Sequence, residues 1–261
     1  MTTIRYLTYN LQVQGGPPFP FFSGRGDYVA ERIPALDVDV IGFQEVTDEM
    51  RDFLREKLPD YAFVGHGREA DFTDESMLIG YRRDRFEPIA LDTFWLSDTP
   101  HVPGSRFFSD QSSCPRICTV LELMHRESLR RFRVYNLHLD HVGEIARNQG
   151  MSLVLSRIAR DYAGDPLPVI LGGDFNDIPA SKVIRAVSSF KGAGEDFRDV
   201  TEDVGITYHE YQPDDPSRTM KIDYVFTNAP CDASLSCTVK DHTEEGMYLS
   251  DHYPILTFIE I

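Results

Sequence analysis

Short apolar runs of strand length recur along this chain, and several end on an acid, an amide or an imidazole. Ile4 to Leu11 alternates with period two, so it reads as a strand that carries Ile4, Tyr6, Thr8 and Asn10 on one face and delivers Asn10 near its C-terminal end. Val38 to Gln44 is a second strand, ending at Gln44-Glu45. Phe132 to Leu139 places Val134, Asn136 and His138 on a common face. Pro168 to Leu171 is a short buried strand that Gly172-Gly173 ends immediately before Asp174. Met77–Tyr81, Ile89–Leu96, Ile117–Met124, Lys221–Thr227 and Tyr253–Ile259 complete the strand set. Between them lie helices: Asp27 to Leu36; a segment capped by Thr47 with Met50, Phe53, Leu54 and Leu58 on one face, stopped by Pro59; and Glu144 to Tyr162, with Met151, Leu155, Ile158 and Tyr162 at helical spacing. Such a mixture in 261 residues predicts one α/β domain spanning 1–261. No internal repeat stands out, and Gly15 to Pro20 reads as an exposed loop.

The formal charge is −16, so the average surface repels a polyanion at long range. A local basic patch or a bound cation can invert the field at one site. Two arginine groups offer such a patch, Arg82, Arg83 and Arg85, and Arg126, Arg130, Arg131 and Arg133, although solvated strand and turn charges explain both more simply. Cys114, Cys118, Cys231 and Cys237 match no zinc spacing and read as buried free thiols. The chain enters its first strand without an apolar leader, and no stretch of about 18 apolar residues occurs. The expectation is a cytoplasmic protein without a membrane span.

Three segments carry the chemistry. Leu171-Gly172-Gly173-Asp174-Phe175-Asn176 delivers a carboxylate and a carboxamide two residues apart, beyond glycines that permit a sharp turn and close approach of a substrate. Ser250-Asp251-His252 sets an acid beside an imidazole, the one side chain whose ordinary pKa lies near neutrality. Asp223 stands inside an apolar strand, where a carboxylate is costly unless it is paired, and His252 is its natural partner.

Asn10, Gln44-Glu45, His138, Gly173-Asp174-Phe175-Asn176, Asp223 and Ser250-Asp251-His252 occur in an order that resembles the endonuclease/exonuclease/phosphatase superfamily, the DNase I-like phosphoesterases, over nearly the whole chain. Phe94 to Pro100 and Asn136 to His141 further resemble a bacterial and fungal branch whose substrates are poorly defined. The resemblance implies a four-layer α/β sandwich: two mixed, mostly antiparallel sheets face to face, with helices outside. It implies Mg²⁺ or Mn²⁺ held by Glu45, with Asn10 and Asp251 as ligands or supporting groups. It further implies that Asp174 orients or deprotonates the attacking water and that Asn176 holds the nucleophile or a phosphoryl oxygen. His252, oriented by Asp223, and His138 would contact the phosphoryl group.

Glu75 resembles a position facing the substrate pocket in relatives, or is an edge-strand acid. Arg116 holds a second anionic group or makes a structural ion pair. His141 and Arg147 line the same mouth or serve the following helix, and Trp95 reads as core. Two departures from the family pattern bear on substrate choice: Gln12 and a proline-rich loop follow Asn10 where many relatives carry a basic residue, and Asn136 replaces a common Thr or Ser. Together with the acidic charge, these favour a phosphorylated small or medium-sized substrate, a phosphomonoester or phosphodiester. A DNA or RNA nuclease is the alternative, and a catalytically inactive binding module a more distant one.

Overall fold

The computed structural model describes residues 2–16, 18–243 and 246–261. In chain order the elements are β1 Thr3–Asn10, α1 Arg25–Ala35, β2 Val40–Gln44, α2 Asp48–Lys57, β3 Tyr61–Val64, β4 Ile79–Arg82, β5 Phe86–Trp95, β6 Ile117–His125 and β7 Arg131–His138. Then come α3 Glu144–Gly164, β8 Val169–Asp174, α4 Lys182–Ser188, β9 Arg198–Asp199, β10 Asp223–Thr227, β11 Cys237–Thr238 and β12 Ile255–Glu260.

The strands form two six-stranded sheets, ordered β11-β12-β1-β2-β4-β3 and β5-β6-β7-β8-β10-β9. Each sheet has a single parallel pair near its middle among the described residues, β1 with β2 and β7 with β8. A helix makes each crossover, α1 in the first sheet and α3 in the second, as a parallel connection requires. The two halves therefore share one plan, a repeat of topology that the sequence pattern does not display.

Alternation along the strands sorts the apolar side chains into three layers of core. Ile4, Tyr6, Val40, Ile79, Leu121, Val134, Ile170 and Val225 pack between the sheets. Leu7, Ile41 and Phe43, on the opposite face of the first sheet, meet Val29 and Ile33 of α1 and Met50 and Leu54 of α2. Tyr135, Leu137 and Leu171 likewise meet Met151, Val154 and Ile158 of α3. The result is the four-layer α/β sandwich, and each fully buried aliphatic side chain contributes on the order of 1.5–3 kcal/mol.

Local signals behave as their chemistry dictates in α2: Thr47 accepts from the Met50 amide at 3.4 Å, and Asp48 and Glu49 occupy the first turn while Arg55 and Lys57 occupy the last. Two expectations are corrected. Gly172 and Gly173 do not end their strand; β8 runs through them to Asp174. A Cβ on Gly172 would lie 2.4 Å from the Tyr6 hydroxyl, and one on Gly173, whose φ is +144°, would lie 2.0 Å from the Leu137 carbonyl oxygen. Close packing between and within the sheets demands these glycines. The four thiols are free, but only Cys118 is buried; Cys114 and Cys231 are half-buried and Cys237 is exposed. No helix among the described residues is long and apolar enough to cross a membrane. Pro17, in the proline-rich loop, lies outside the described residues.

Candidate active site

Strand register builds one wall of the pocket. In the parallel pairing of β7 with β8, His138 lies opposite Asp174; in the antiparallel pairing of β10 with β8, Asp223 lies opposite the same Asp174. An imidazole and two carboxylates therefore stand in a row at one end of the second sheet. At the corresponding end of the first sheet, Asn10 pairs in register with Gln44, and Glu45 follows with φ +60°. Asp251 and His252 come in on the segment before β12. All eight residues expected from the sequence, Asn10, Glu45, His138, Asp174, Asn176, Asp223, Asp251 and His252, converge at this end.

Asp223 Oδ2 lies 2.9 Å from His252 Nδ1, which leaves His252 Nε2 facing Asp174 Oδ2 at 3.8 Å. His138 Nε2 approaches the same oxygen at 3.4 Å. Asn10 donates its amide to Asp174 Oδ2 and to Glu45 Oε1, both at 3.0 Å, while its own oxygen accepts from the Gln12 amide at 2.9 Å. Asn10 thus turns its nitrogen, a donor without metal affinity, towards the carboxylates and acts as a brace between the sheets. The other oxygen of Asp174 accepts from the Asn176 amide at 2.8 Å, and the Asn176 side chain donates to the Leu139 carbonyl at 3.0 Å. Asn176 holds φ +49°, a strained value for a residue with a side chain.

Burial raises Asp174 to about 7, and the neighbouring Asp223 charge adds to the effect. For His252 burial opposes the charge, but Asp223, the hydrogen bond to it, Asp174 and Asp251 prevail and push it up to about 10. His138 goes the other way: burial, then the positive charges of Arg116 and Arg68, hold it well below its ordinary value. The site therefore presents one charged and one neutral imidazole on either side of a carboxylate that titrates near neutrality, the separation of pKa values that acid and base chemistry needs.

The pocket has a volume of about 410 Å³. Of the secondary candidates, Glu75, Arg116 and His141 all line it. Arg116 donates to His141 Nδ1 at 2.8 Å, and it also makes a long 3.5 Å contact with Asp140. Because a guanidinium only donates, His141 accepts there and carries its proton on Nε2. Glu75 is gripped by both terminal nitrogens of Arg68, at 2.7 and 2.9 Å. Burial and the nearby Glu45 nevertheless raise Glu75 to about 7. Arg147 instead pairs with Asp177 at 3.1 Å, and Trp95 is core, donating to the Arg68 carbonyl at 2.6 Å.

Sequence reading missed Arg68 and Tyr208. Arg68 sits on a loop fixed by a bridge between Gly67 and Ser76; Tyr208 is bridged to His252 and to Met220, and its ring meets the His252 ring edge-on at 5.0 Å. Neither has a local signal, since only the folded chain brings those segments to the pocket. Tyr208 lines the pocket together with the apolar side chains of Met220 and Ile222.

The residues present fit a hard divalent cation. Glu45, Glu75 and His138 offer ligand atoms within 4.8 Å of one another. Asp251, outside that trio, lines the same pocket with a further half-buried carboxylate, whose pKa burial and Glu45 raise despite the opposing His252 charge. Crowded carboxylate oxygens of this kind suit Mg²⁺ or Mn²⁺. The arginine groups, in contrast, lie at the far end of the sandwich, where β2 and β7 begin. Arg85 pairs with Asp39, Arg82 with Asp37 and Asp84, and Arg131 and Arg133 with Glu122.

The sequence model of the endonuclease/exonuclease/phosphatase family matches residues 7–252. An endonuclease/exonuclease/phosphatase of Bacteroides vulgatus is similar in structure over 100% of both chains, with a TM-score of 0.85 and 28% identity. A mannosyl-6-phosphatase of Bacteroides thetaiotaomicron is similar over 98% of this chain and 100% of its own, with a TM-score of 0.82 and 26% identity. An uncharacterised protein of Acanthamoeba polyphaga mimivirus is 23% identical over 92% of each chain.

Proposed function

Because the chain belongs to the endonuclease/exonuclease/phosphatase family, whose members act on phosphoester bonds, we propose that residues 1–261 form one catalytic domain that hydrolyses a phosphate ester of a small or medium-sized substrate with Mg²⁺ or Mn²⁺. The observation that carries the proposal is the row of His138, Asp174 and Asp223 across three strands, with His252 tied to Asp223 at 2.9 Å, facing Glu45 and Asp251.

In this proposal Asp174, titrating near neutrality, accepts the proton of the attacking water, and Asn176 holds that water or a phosphoryl oxygen. His252, kept protonated by Asp223, donates to the phosphoryl group as negative charge develops. His138 offers a neutral imidazole to a second phosphoryl oxygen. Asn10 braces Asp174 against Glu45, so the two halves of the site keep their spacing. Glu45 and Asp251, with Glu75 close by, would hold the cation. When bound it supplies Lewis-acid stabilisation of phosphate charge.

A small substrate is supported by the pocket's size, by the charge of −16, and by the ion pairing of Arg82, Arg85, Arg131 and Arg133 away from the mouth. Similarity to a mannosyl-6-phosphatase adds sugar phosphates to the first substrates to try. The test is a panel of sugar phosphates, aryl phosphates, nucleotides and glycerophosphodiesters with Mg²⁺, Mn²⁺ or a chelator, beside plasmid nicking at low salt. Metal-dependent turnover of a small ester, abolished in Asp174→Asn, is expected. Nicking without turnover of any small ester would establish the nuclease instead.

A further inference from the structure

Arg25 is a charged residue with no exposed surface at all, and its guanidinium has no acid within hydrogen-bonding distance among the described residues. It opens α1, where a positive charge opposes the helix dipole, so it does nothing for the helix that carries it. Among the described residues, each hydrogen bond that its guanidinium donates goes to a backbone carbonyl. Nε donates to Phe19 at 2.6 Å; one terminal nitrogen donates to Leu11 and, at 3.2 Å, to Leu249; the other donates to Gln12 at 2.6 Å and to Val13 at 3.3 Å. Phe21 closes over its face at 5.3 Å.

Those carbonyls belong to the segments that arrange the acidic side of the pocket. The Gln12 amide donates to the Asn10 side chain at 2.9 Å, and the Val13 amide donates to Glu45 Oε2 at 2.9 Å. The Gln12 side chain reaches Asp251 at 3.3 Å and accepts from the Tyr211 hydroxyl. Leu249 precedes Ser250, whose hydroxyl donates to the Asn10 carbonyl at 2.7 Å. Gln12 itself has φ +52°, a conformation that persists only where the surroundings over-determine it. One guanidinium therefore clamps the Leu11–Val13 turn and the segment leading to Asp251 against each other.

We infer that Arg25 is a positioning residue for the cation-binding side of the pocket: by gripping the carbonyls of Leu11, Gln12, Val13 and Leu249 it fixes the amides and side chain that orient Asn10, Glu45 and Asp251. The inference rests on Glu45 and Asp251 holding the cation. A planar fork with five donors can span both segments, whereas a lysine ammonium, a point charge, cannot.

Mn²⁺ binding to the full chain, followed by electron paramagnetic resonance and by calorimetry, tests this in wild type, Arg25→Lys and Arg25→Met, with circular dichroism as the check on folding. Loss of a group that orients metal ligands typically weakens affinity about 10–100-fold, and that loss is expected in both folded variants, with turnover recovering at saturating Mn²⁺. Wild-type affinity in Arg25→Lys overturns the inference. If neither Arg25 variant folds, Gln12→Ala and Gln12→Gly both lose the side-chain contact with Asp251 and keep the guanidinium, and only the glycine loosens the turn; weaker binding in Gln12→Gly than in Gln12→Ala supports the clamp, and equal binding overturns it. Failure of the functional proposal looks different: wild type and Glu45→Gln would then bind Mn²⁺ equally.

Discussion

Replacing Asp223 by Asn removes one negative charge while keeping a side chain of the same size, so it isolates what that charge does for His252. The two side chains are 3% and 6% exposed and meet at 2.9 Å, so solvent screens the pair very little. Burial alone would strip the proton from His252, whereas Asp223, with Asp174 and Asp251 assisting, raises it from 6.5 to about 10. Breaking a buried charge pair by removing one partner costs about 3–5 kcal/mol, and Asn, which can still accept from Nδ1, belongs at the lower end of that range. In the variant only Asp174 and Asp251 remain to oppose burial, and His252 should be neutral at pH 7. If its proton serves the phosphoryl group, kcat falls by about 10²–10⁴. The alkaline limb of the pH–rate profile also moves from near pH 10 to the acid side of neutrality. The assay is that profile on a small phosphate ester, with the His252 ring protons followed by NMR. An imidazole that still titrates near 10 in Asp223→Asn, or an unmoved alkaline limb, refutes the reasoning.

Stability must follow the same proton. The folded pKa of His252 lies above the unfolded value of about 6.5. Its contribution is therefore fully present below pH 6.5 and is lost as the pH rises through about 10. Wild type and Asp223→Asn should differ most in Tm near pH 6 and converge towards pH 10, as thermal melts across that range will read.

Asp174 and Glu75 are both raised to about 7, so their protons stabilise the fold below the ordinary carboxylate range and that stabilisation is lost as the pH rises through neutrality. A cation takes over above it: Mn²⁺ at about a hundredfold excess over Kd adds roughly 2.7 kcal/mol, and the gain in Tm should be larger at about pH 8 than at about pH 6. An equal gain at both, or one that persists in Glu45→Gln, contradicts a cation at these carboxylates. Gly172→Ala drives a methyl group against the Tyr6 ring and hydroxyl and should lower stability by about 1–3 kcal/mol in a denaturant titration. Tyr6→Phe removes a buried hydroxyl with no hydrogen-bond partner among the described residues and should be neutral or stabilising by about 1 kcal/mol in the same titration. Arg131→Ala, at the far end of the sandwich, should leave kcat/KM on a small ester within about twofold.

How much of this the sequence discloses depends on whether a residue's place is set by its own segment or by distant backbone. Glu45 and His138 were legible because each stands at the end of an apolar run of strand length, Asp174 because two glycines set it off from a short apolar run, and α2 because Thr47, Glu49 and Pro59 punctuate it. β3 has four residues and β9 and β11 have two each, too few for period two to show, and α4 spans only seven. Gly172 misled because a glycine before a candidate catalytic carboxylate suggests substrate access, while the space it leaves is filled by the Tyr6 ring of the other sheet. Arg68 and Tyr208 stand on irregular segments whose positions come from bridges to Ser76 and His252. Arg25 is the extreme case: it falls before the helix that the sequence pattern begins at Asp27, and nothing in its own segment marks it. The carbonyls that bury it come from Phe19, the Leu11–Val13 turn and Leu249. Carbonyls are present at every residue and carry no mark in the sequence, so what Arg25 holds becomes visible only when three separate segments have come together.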